Sequence, residues 1–581
     1  MSTMIENEIT YNQVTSKNGL LSKRQKNNIQ WLIIMLLMLG YAMAGMAQNP
    51  LSELNYVATS TFVPILKDAV KFSDVPEIKD SVKRIENIKY GITSMPLVPK
   101  YEVQKIDAAK LQNEPLPKLY HSLLKLGYGP IYNMPYGEFW ISNIRSRDVS
   151  FGAHLKHFSS TAHLKDVGYS GFADDIISVY GKRLYNKYAL SGDFNYQRNM
   201  VHYYGYDPTI NFLSDNYTKQ RYQLFEPRIQ LQSHYTDSTH FNNNTRLSYY
   251  NLQNLNRETE NNVKLNFDGS FFLNKEKLSV NFLTDYYNHK QSNDTLNDLI
   301  MSLTPNFEAG GKKWHIDIGF TPTMDRFKGA TKFYMYEHLN IYYDVYDNMV
   351  IPYAGVDGGL KKNSFRSLSS ENPFVDTTLN YTNTSNPFTV FGGLKGTLSS
   401  KTSYDVRASY ARYNNLYFFV INYGEPAMLY NHFKILYDDA SLFKLSGEVR
   451  HQATEKLIIS GKGNYYYYKT STLVHAYQKP DYDLTFSGIY NLQSKFIIRA
   501  DFFIVGKQWA QSQSYDGRNT NVTQKQLPGY ADLNLEGEYR YSKMLSFFAR
   551  FNNIANQRYY RWDRYPSQRF NFMIGVTFVP F

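Results

Sequence analysis

The sequence predicts an all-β chain: a transmembrane antiparallel β-barrel of the outer-membrane type, with about 22 strands (18 to 24) and a short irregular N-terminal segment. Three observations carry this prediction. From about residue 119 onward the chain alternates apolar and polar residues with a period of two. Its only long apolar run lies near the start. Its aromatic residues, 52 Tyr and 37 Phe, are spread along the chain rather than clustered, as suits pleated, half-exposed surfaces and membrane interfaces. A polytopic helical membrane protein is excluded, because each span needs about 20 consecutive apolar residues and the mean hydropathy here is −0.48.

The apolar run is "WLIIMLLMLGYAMAGMA", residues 31–47, preceded by Lys17, Lys23, Arg24 and Lys26. A basic flank, a short apolar core and a small-residue exit read as a secretory signal, residues 1–47, cleaved between Ala47 and Gln48. Export to the periplasm or beyond follows. With no Cys in the chain, a disulfide framework, a thiolate metal site and a lipid-modified cysteine are all excluded. The leader holds four basic and two acidic residues, so 12 − 2 leaves +10 after it. That basic balance, in an exported chain without a nucleic-acid motif, points to anionic lipid or a polar lumen and not to nucleic acid.

Residues 48–118 differ in style. Pro50, Pro64, Pro76, Pro96, Pro99, Pro115 and Pro117 interrupt them, which prevents long regular elements. The segment is marginal as a core of its own. It is expected to thread the lumen, lie beneath the barrel or bind a periplasmic partner.

The barrel is assigned to residues 119–581. In "YALSGDFNYQRNM", residues 188–200, Tyr188, Leu190, Phe194 and Tyr196 share one face, and Asp193, Asn195 and Gln197 share the other. Further on, Ala531, Leu533, Leu535 and Tyr539 alternate with Asp532, Asn534, Glu536, Glu538 and Arg540. That second face is too charged for a dry core, and both polar rows are expected to face a lumen. A soluble sandwich or propeller also uses alternating strands. The barrel is preferred because of the leader, because aromatic residues stand at expected strand ends (Tyr203-Tyr204, Tyr342-Tyr343, residues 465–468) and because of the final segment, "RFNFMIGVTFVPF". There Phe570, Phe572, Ile574, Val576 and Phe578 form a lipid-facing row, with Asn571, Gly575 and Thr577 facing inward. Backbone groups in lipid must be satisfied internally, so this strand is expected to pair with the first. It is also the strand that the barrel-assembly machinery would read, and Phe581 is out of phase with Phe578. Turns are expected at residues 274–277, 399–403 and 540–545. Residues 364–387, polar and without periodicity, read as a mobile loop. A lumen of this width is normally plugged.

No catalytic chemistry emerges. His154, His157 and His163 are close in sequence, but His154 and His157 point to opposite faces of a strand and cannot chelate together. Asp532, Glu536 and Glu538 share a face that could hold a cation or an acid/base pair, and a row of lumen carboxylates balanced by Arg540 explains them as well. Asp174-Asp175 reads as turn chemistry. No nucleophile elbow, phosphate loop or metal-ligand spacing is present. The expectation is therefore no enzyme, no cofactor and no metal.

The stretch "DLNLEGEYRYSKMLSFFARFNNIANQRYYRWDRYP", residues 532–566, resembles the last hairpin of TonB-dependent-receptor barrels, with Asn552-Asn553 at the turn and Tyr565-Pro566 in the final outer loop. Residues 64–80 and 114–160 are similar to plug-less, TonB-receptor-like barrels of Bacteroidota-type outer membranes. The resemblance implies a transporter or channel in the cell outer membrane, in contact with its lipid and inserted by the assembly machinery. The departure is the plug: residues 48–118 are too short for the one such receptors carry. The alternative is a non-catalytic barrel subunit of an outer-membrane assembly or secretion complex, docked through residues 48–118.

Overall fold

The computed structural model describes residues 120–580 except 144–145, 210–212, 234, 236–239, 292–293, 423–430 and 516–519. The cleavage pair Ala47 and Gln48, the 48–118 segment and Phe581 lie outside the described residues.

Twenty-two strands form one closed antiparallel sheet, each paired with its neighbour in sequence. The first, Ser122–Gly129, pairs with the last, Asn571–Phe578, from Leu124 opposite Phe578 to Tyr128 opposite Ile574. Alternation is the reason these segments are strands. In Lys219–Ser233, Gln220, Tyr222 and Leu224 are buried on one face while Phe225, Ile229 and Leu231 are exposed on the other. Large apolar side chains on the outer face are exposed all round the barrel, among them Phe151, Ile177, Phe320 and Val406. The two longest strands, Thr402–Ile421 and Phe433–Gln452, run to 20 residues each, well beyond the roughly 9–11 that a bilayer span requires.

The two ends differ. At one end the connections are short and the described chain both enters and leaves. The expected turns at residues 274–277, 399–403 and 540–545 all fall here, each connecting consecutive strands. The other end carries the long connections, residues 161–171, 203–218, 362–383, 422–432, 471–481, 506–529 and 553–570. Two of these form small sheets of their own, Gln508–Tyr515 with Thr520–Leu527, and Tyr560–Trp562 with Tyr565–Pro566. Between strands Trp314–Phe327 and Ala330–Tyr343 the turn is only Lys328-Gly329, both at positive φ (49° and 82°), as the twist of a two-residue hairpin demands.

Two seams stand out. At the closing seam Gly127 faces Gly575, and the ring of Phe548 lies over the pair from inside. A Cβ on Gly575 would meet the Leu126 carbonyl at 2.2 Å and the Phe548 ring at 2.4 Å. The second seam joins Ala330–Tyr343 to Ile351–Lys361 through only four residue pairs, Leu339–Tyr342 against Val356–Tyr353. Above Leu339 the strand has no ladder partner on that side among the described residues. Phe333 and Met335 on this free edge are 78% and 60% exposed.

Two expectations are corrected. Asp174-Asp175 is not a turn; it lies within strand Phe172–Leu184, where Asp175 pairs with Arg198 at 2.6 Å and His157 at 2.7 Å, and Asp174 accepts from Asn199. Tyr203-Tyr204 do not form a rim girdle, since Tyr203 is buried in an internal aromatic cluster against which Tyr204 packs.

The closing seam yields a prediction. Gly575→Val should prevent closure, through overpacking of roughly 1–3 kcal/mol, and should be read as loss of heat-modifiable gel mobility in isolated membranes. Gly537→Ala, where a Cβ meets nothing within 4 Å, should keep it.

Candidate functional site

The long connection 362–383 decides what the lumen can do. Expected to be a mobile loop, it is instead folded into the barrel mouth, and residues 384–387 belong to strand Thr384–Ser399. The reason is local and then tertiary. Ser364 caps a short helix, Phe365–Glu371, in a reciprocal capping box with Ser367. Pro373 stands just past the helix end. Phe365 and Leu368, three apart on one helix face, are 1% and 0% exposed. With Phe374, Val375, Leu379 and Tyr381 they pack on Tyr203, Tyr222, Tyr250, Tyr287, Tyr417 and Phe433. Apart from Tyr203, just past a strand end, those partners come from strands far apart around the wall, so the segment caps the lumen from within.

Polar anchors fix the cap at many points. Arg366 binds Glu226 bidentately at 3.0 and 2.9 Å, the geometry in which a guanidinium holds a carboxylate best. The backbone N–H of Arg366 reaches buried Glu260 at 3.3 Å, and Glu260 also accepts from Tyr250 at 2.6 Å and Tyr287 at 2.9 Å. Lys362 pairs with Asp285 at 2.5 Å. Asn383 donates to Asp298 at 2.9 Å and Asp325 at 3.1 Å. Wall tyrosines satisfy cap carbonyls, Tyr222 on Pro373 and Tyr203 on Val375, both at 2.9 Å. Glu371 accepts from Tyr417 and pairs with Lys479 at 2.9 Å. Burial alone would raise the Glu371 carboxyl, but Lys479, the Tyr417 hydroxyl and Lys361 outweigh it and hold it below the ordinary glutamate range.

The cap is tied to the wall from strand Lys219–Ser233 round to Phe433–Gln452. Beside the cap the mouth carries a roof of residues 553–570, which meets the cap where Phe374 stacks on Tyr565 at 3.7 Å. Asn553, at φ 48°, holds the base of this roof with side-chain bonds to the Gln557 and Gln568 carbonyls. Below the cap, nearer the short-loop end, the inner wall opens into a polar cavity of about 670 Å³ lined by Asn244, Asn281, Thr304, Asn306 and His338 among others.

The residues singled out from the sequence fall in three places. Asp193, Asn195 and Gln197 lie on the same face of their strand as the cap-bearing wall; Asp193 pairs with Arg228 at 2.7 Å and Asn195 bridges Ser178 and Asp193. Glu536 is ringed by Arg550 at 2.9 Å, Lys125 at 3.4 Å and Arg499 at 3.5 Å, while Glu538 pairs with Arg540 at 3.2 Å. Asp532 accepts from Tyr559 at 2.8 Å, and Asn534 accepts from the Asn553 backbone at 2.9 Å. In the last strand Ile574 and Phe578 are exposed and Phe572 and Val576 half-buried, with Asn571 and Met573 buried opposite; Phe570 just precedes the strand. His154 binds Glu138 at 3.0 Å, on the opposite face from His157. The cap anchors Lys362, Arg366 and Asn383 were missed. Their signal was the apolar set Phe365, Leu368, Phe374 and Leu379 inside an otherwise polar stretch.

No protein-family model and no curated protein matches the chain in sequence. Solved structures do match in fold. A variant of the ferric enterobactin receptor PfeA of Pseudomonas aeruginosa, in complex with enterobactin, aligns with a TM-score of 0.59 at 14% identity, covering 79% of this chain and 81% of that one. The FrpB iron transporter of Neisseria meningitidis aligns with a TM-score of 0.62 at 8% identity, over 80% and 82%. FpvA of P. aeruginosa bound to heterologous pyoverdines gives 0.59 at 12%, over 79% and 71%. The likeness is one of fold. Two of these names are those of a ferric enterobactin receptor and an iron transporter.

Two outcomes follow from the cap. Arg366→Met should cost about 2 kcal/mol of cap anchoring and make residues 362–383 cleavable by added protease while the wall stays resistant. Because the folded Glu371 value is depressed, its contribution is complete above the ordinary value of 4.5 and is lost as pH falls through the folded value. Hydrogen exchange in residues 365–371 should therefore speed up on acidification below that point, and Glu371→Gln should remove this acid sensitivity.

Proposed function

We propose that the chain is an outer-membrane transporter or channel that passes a solute through a lumen obstructed at its outer mouth by residues 362–383. The observation that carries this reading is the cap itself: a closed barrel with a polar inner wall whose mouth is filled by its own anchored segment. The long-loop end then faces outward and the end where the described chain enters and leaves faces the periplasm. The outward apolar row, including Phe572, Ile574, Val576 and Phe578, faces outer-membrane lipid, and Asp193, Asn195, Gln197, Asp532, Asn534, Glu536, Glu538 and Arg540 line the lumen. Residues 1–47 act as the export signal, and residues 48–118 work at the periplasmic mouth, where they offer a docking segment to a partner. Barrel-assembly machinery reads the last strand. The enterobactin, iron and pyoverdine ligands in the neighbours' names show what this fold admits without naming the solute here.

A second reading, a non-catalytic barrel subunit of an assembly or secretion complex, is favoured by the free strand edge at Phe333 and Met335. Unpaired strand edges recruit further strands.

Planar-bilayer conductance tests the proposal. The mature chain is compared with versions lacking residues 48–118, lacking 365–382 (replaced by a short Gly/Ser linker), or lacking both. Silence from the intact chain and large steady steps once the cap is removed support an obstructed channel. Large steady steps from the intact chain would sink the obstruction, and silence from all four, with stoichiometric proteins co-extracted, would favour the subunit.

A further inference from the structure

Resting on that reading, we infer that the cavity between the first and last strands, beneath the 553–570 roof, is a binding site for a neutral saccharide. It encloses about 580 Å³ on the part of the wall that the cap does not cover, and is lined by strands from both ends of the barrel sequence and by Tyr559 and Gln568 of the roof. Its decisive feature is Asp532. The side chain sits in a residue only 7% exposed; one carboxylate oxygen accepts from Tyr559 at 2.8 Å, and the other is buried with no partner among the described residues. A buried acceptor left unmade is costly, so this oxygen is positioned for a donor that a ligand brings.

The neighbouring groups define which ligand. Arg550 also lines the space and pairs with Glu536 at 2.9 Å, so with Asp532 and Lys156 charges of both signs face it. Asn534 uses its carbonyl oxygen on the roof backbone, which leaves its amide hydrogens to donate. Asn552 donates to Asn571 at 2.9 Å, which leaves its oxygen to accept. Donors and acceptors thus both line a space that the side chains of Phe158 and Tyr559 also border. A hydroxyl donates and accepts at once, and a sugar ring adds a C–H face for an aromatic side chain. A simple anion would face Asp532, a simple cation would face Lys156, and an apolar molecule would strand both charges.

Calorimetric titration of the full mature chain in a sugar-free detergent, with maltotriose and raffinose as probes and glycylglycine as the zwitterionic comparison, tests this. At least one trisaccharide should bind saturably, and Asp532→Asn should weaken it tenfold or more with heat-modifiable mobility unchanged. Should that variant fail to fold, Asn534→Ala serves in its place with the same expected loss. No saturable trisaccharide binding, binding unchanged in the variants, or glycylglycine binding that Asp532→Asn abolishes each overturns the inference. The two readings fail separately: current through the cap-deleted barrel without sugar binding removes the site and leaves the channel, whereas sugar binding with silence from every deletion removes the channel and leaves the site.

Discussion

A wall one strand thick has no second layer to satisfy its backbone, so every N–H and C=O must find a partner in the strand beside it. Everything else in this molecule is arranged around that condition. It is why the first and last strands meet although they are separated by the whole described sequence, and why that meeting is made at a facing glycine pair where a side chain would collide with the Leu126 carbonyl. It also explains why Pro227 and Pro305, inside their strands, coincide with gaps in the ladder on one side only. A missing donor is tolerated where the other side of the strand remains fully paired.

Closure creates an interior, and the interior is not uniform. Toward the short-loop end it is polar and ion-paired. Toward the mouth it becomes an aromatic core, because the 362–383 segment brings its own apolar residues and the wall supplies tyrosines. Tyrosine suits this position: the ring buries apolar area and the hydroxyl reaches a cap carbonyl that would otherwise lack a donor. Glu260, Glu226 and Asp285 could not stay buried or half-buried at low cost without Arg366, Lys362 and the phenols around them. The cap and the carboxylates of the wall therefore require each other.

Much of the wall was legible because a period of two survives any loop length. The strands around Tyr188 and Asp532, the three short turns, the strand count near 22 and the pairing of the ends follow from local alternation and from the closure condition. The cap was not legible for a physical reason. Its polar residues look like solvent-exposed loop chemistry until their partners are known, and those partners, Glu226, Glu260, Asp285, Asp298 and Asp325, lie on five different strands. Asp174-Asp175 misled in the same way, since two adjacent carboxylates suggest a turn unless Asn199 on one face and Arg198 on the other are seen to take them. Asp532 was recognised as one of a charged row, but that its second oxygen lacks a partner is a property of the roof and not of its own strand.

Two bodies at the mouth, the cap and the roof, are each fastened to their surroundings by polar bonds. The cap is riveted to its wall by charged bonds at Glu226, Asp285 and Glu371, and the 553–570 roof to its own by Asn553, by Tyr559 on Asp532 and by Arg558 on Asp166 at 3.1 Å. Between them run stacked rings, Phe374 on Tyr565 at 3.7 Å. Such a lid has a built-in parting line. No salt bridge crosses the Phe374–Tyr565 boundary among the described residues, so only apolar ring contact joins cap to roof there, near the roof whose Tyr559 bonds Asp532.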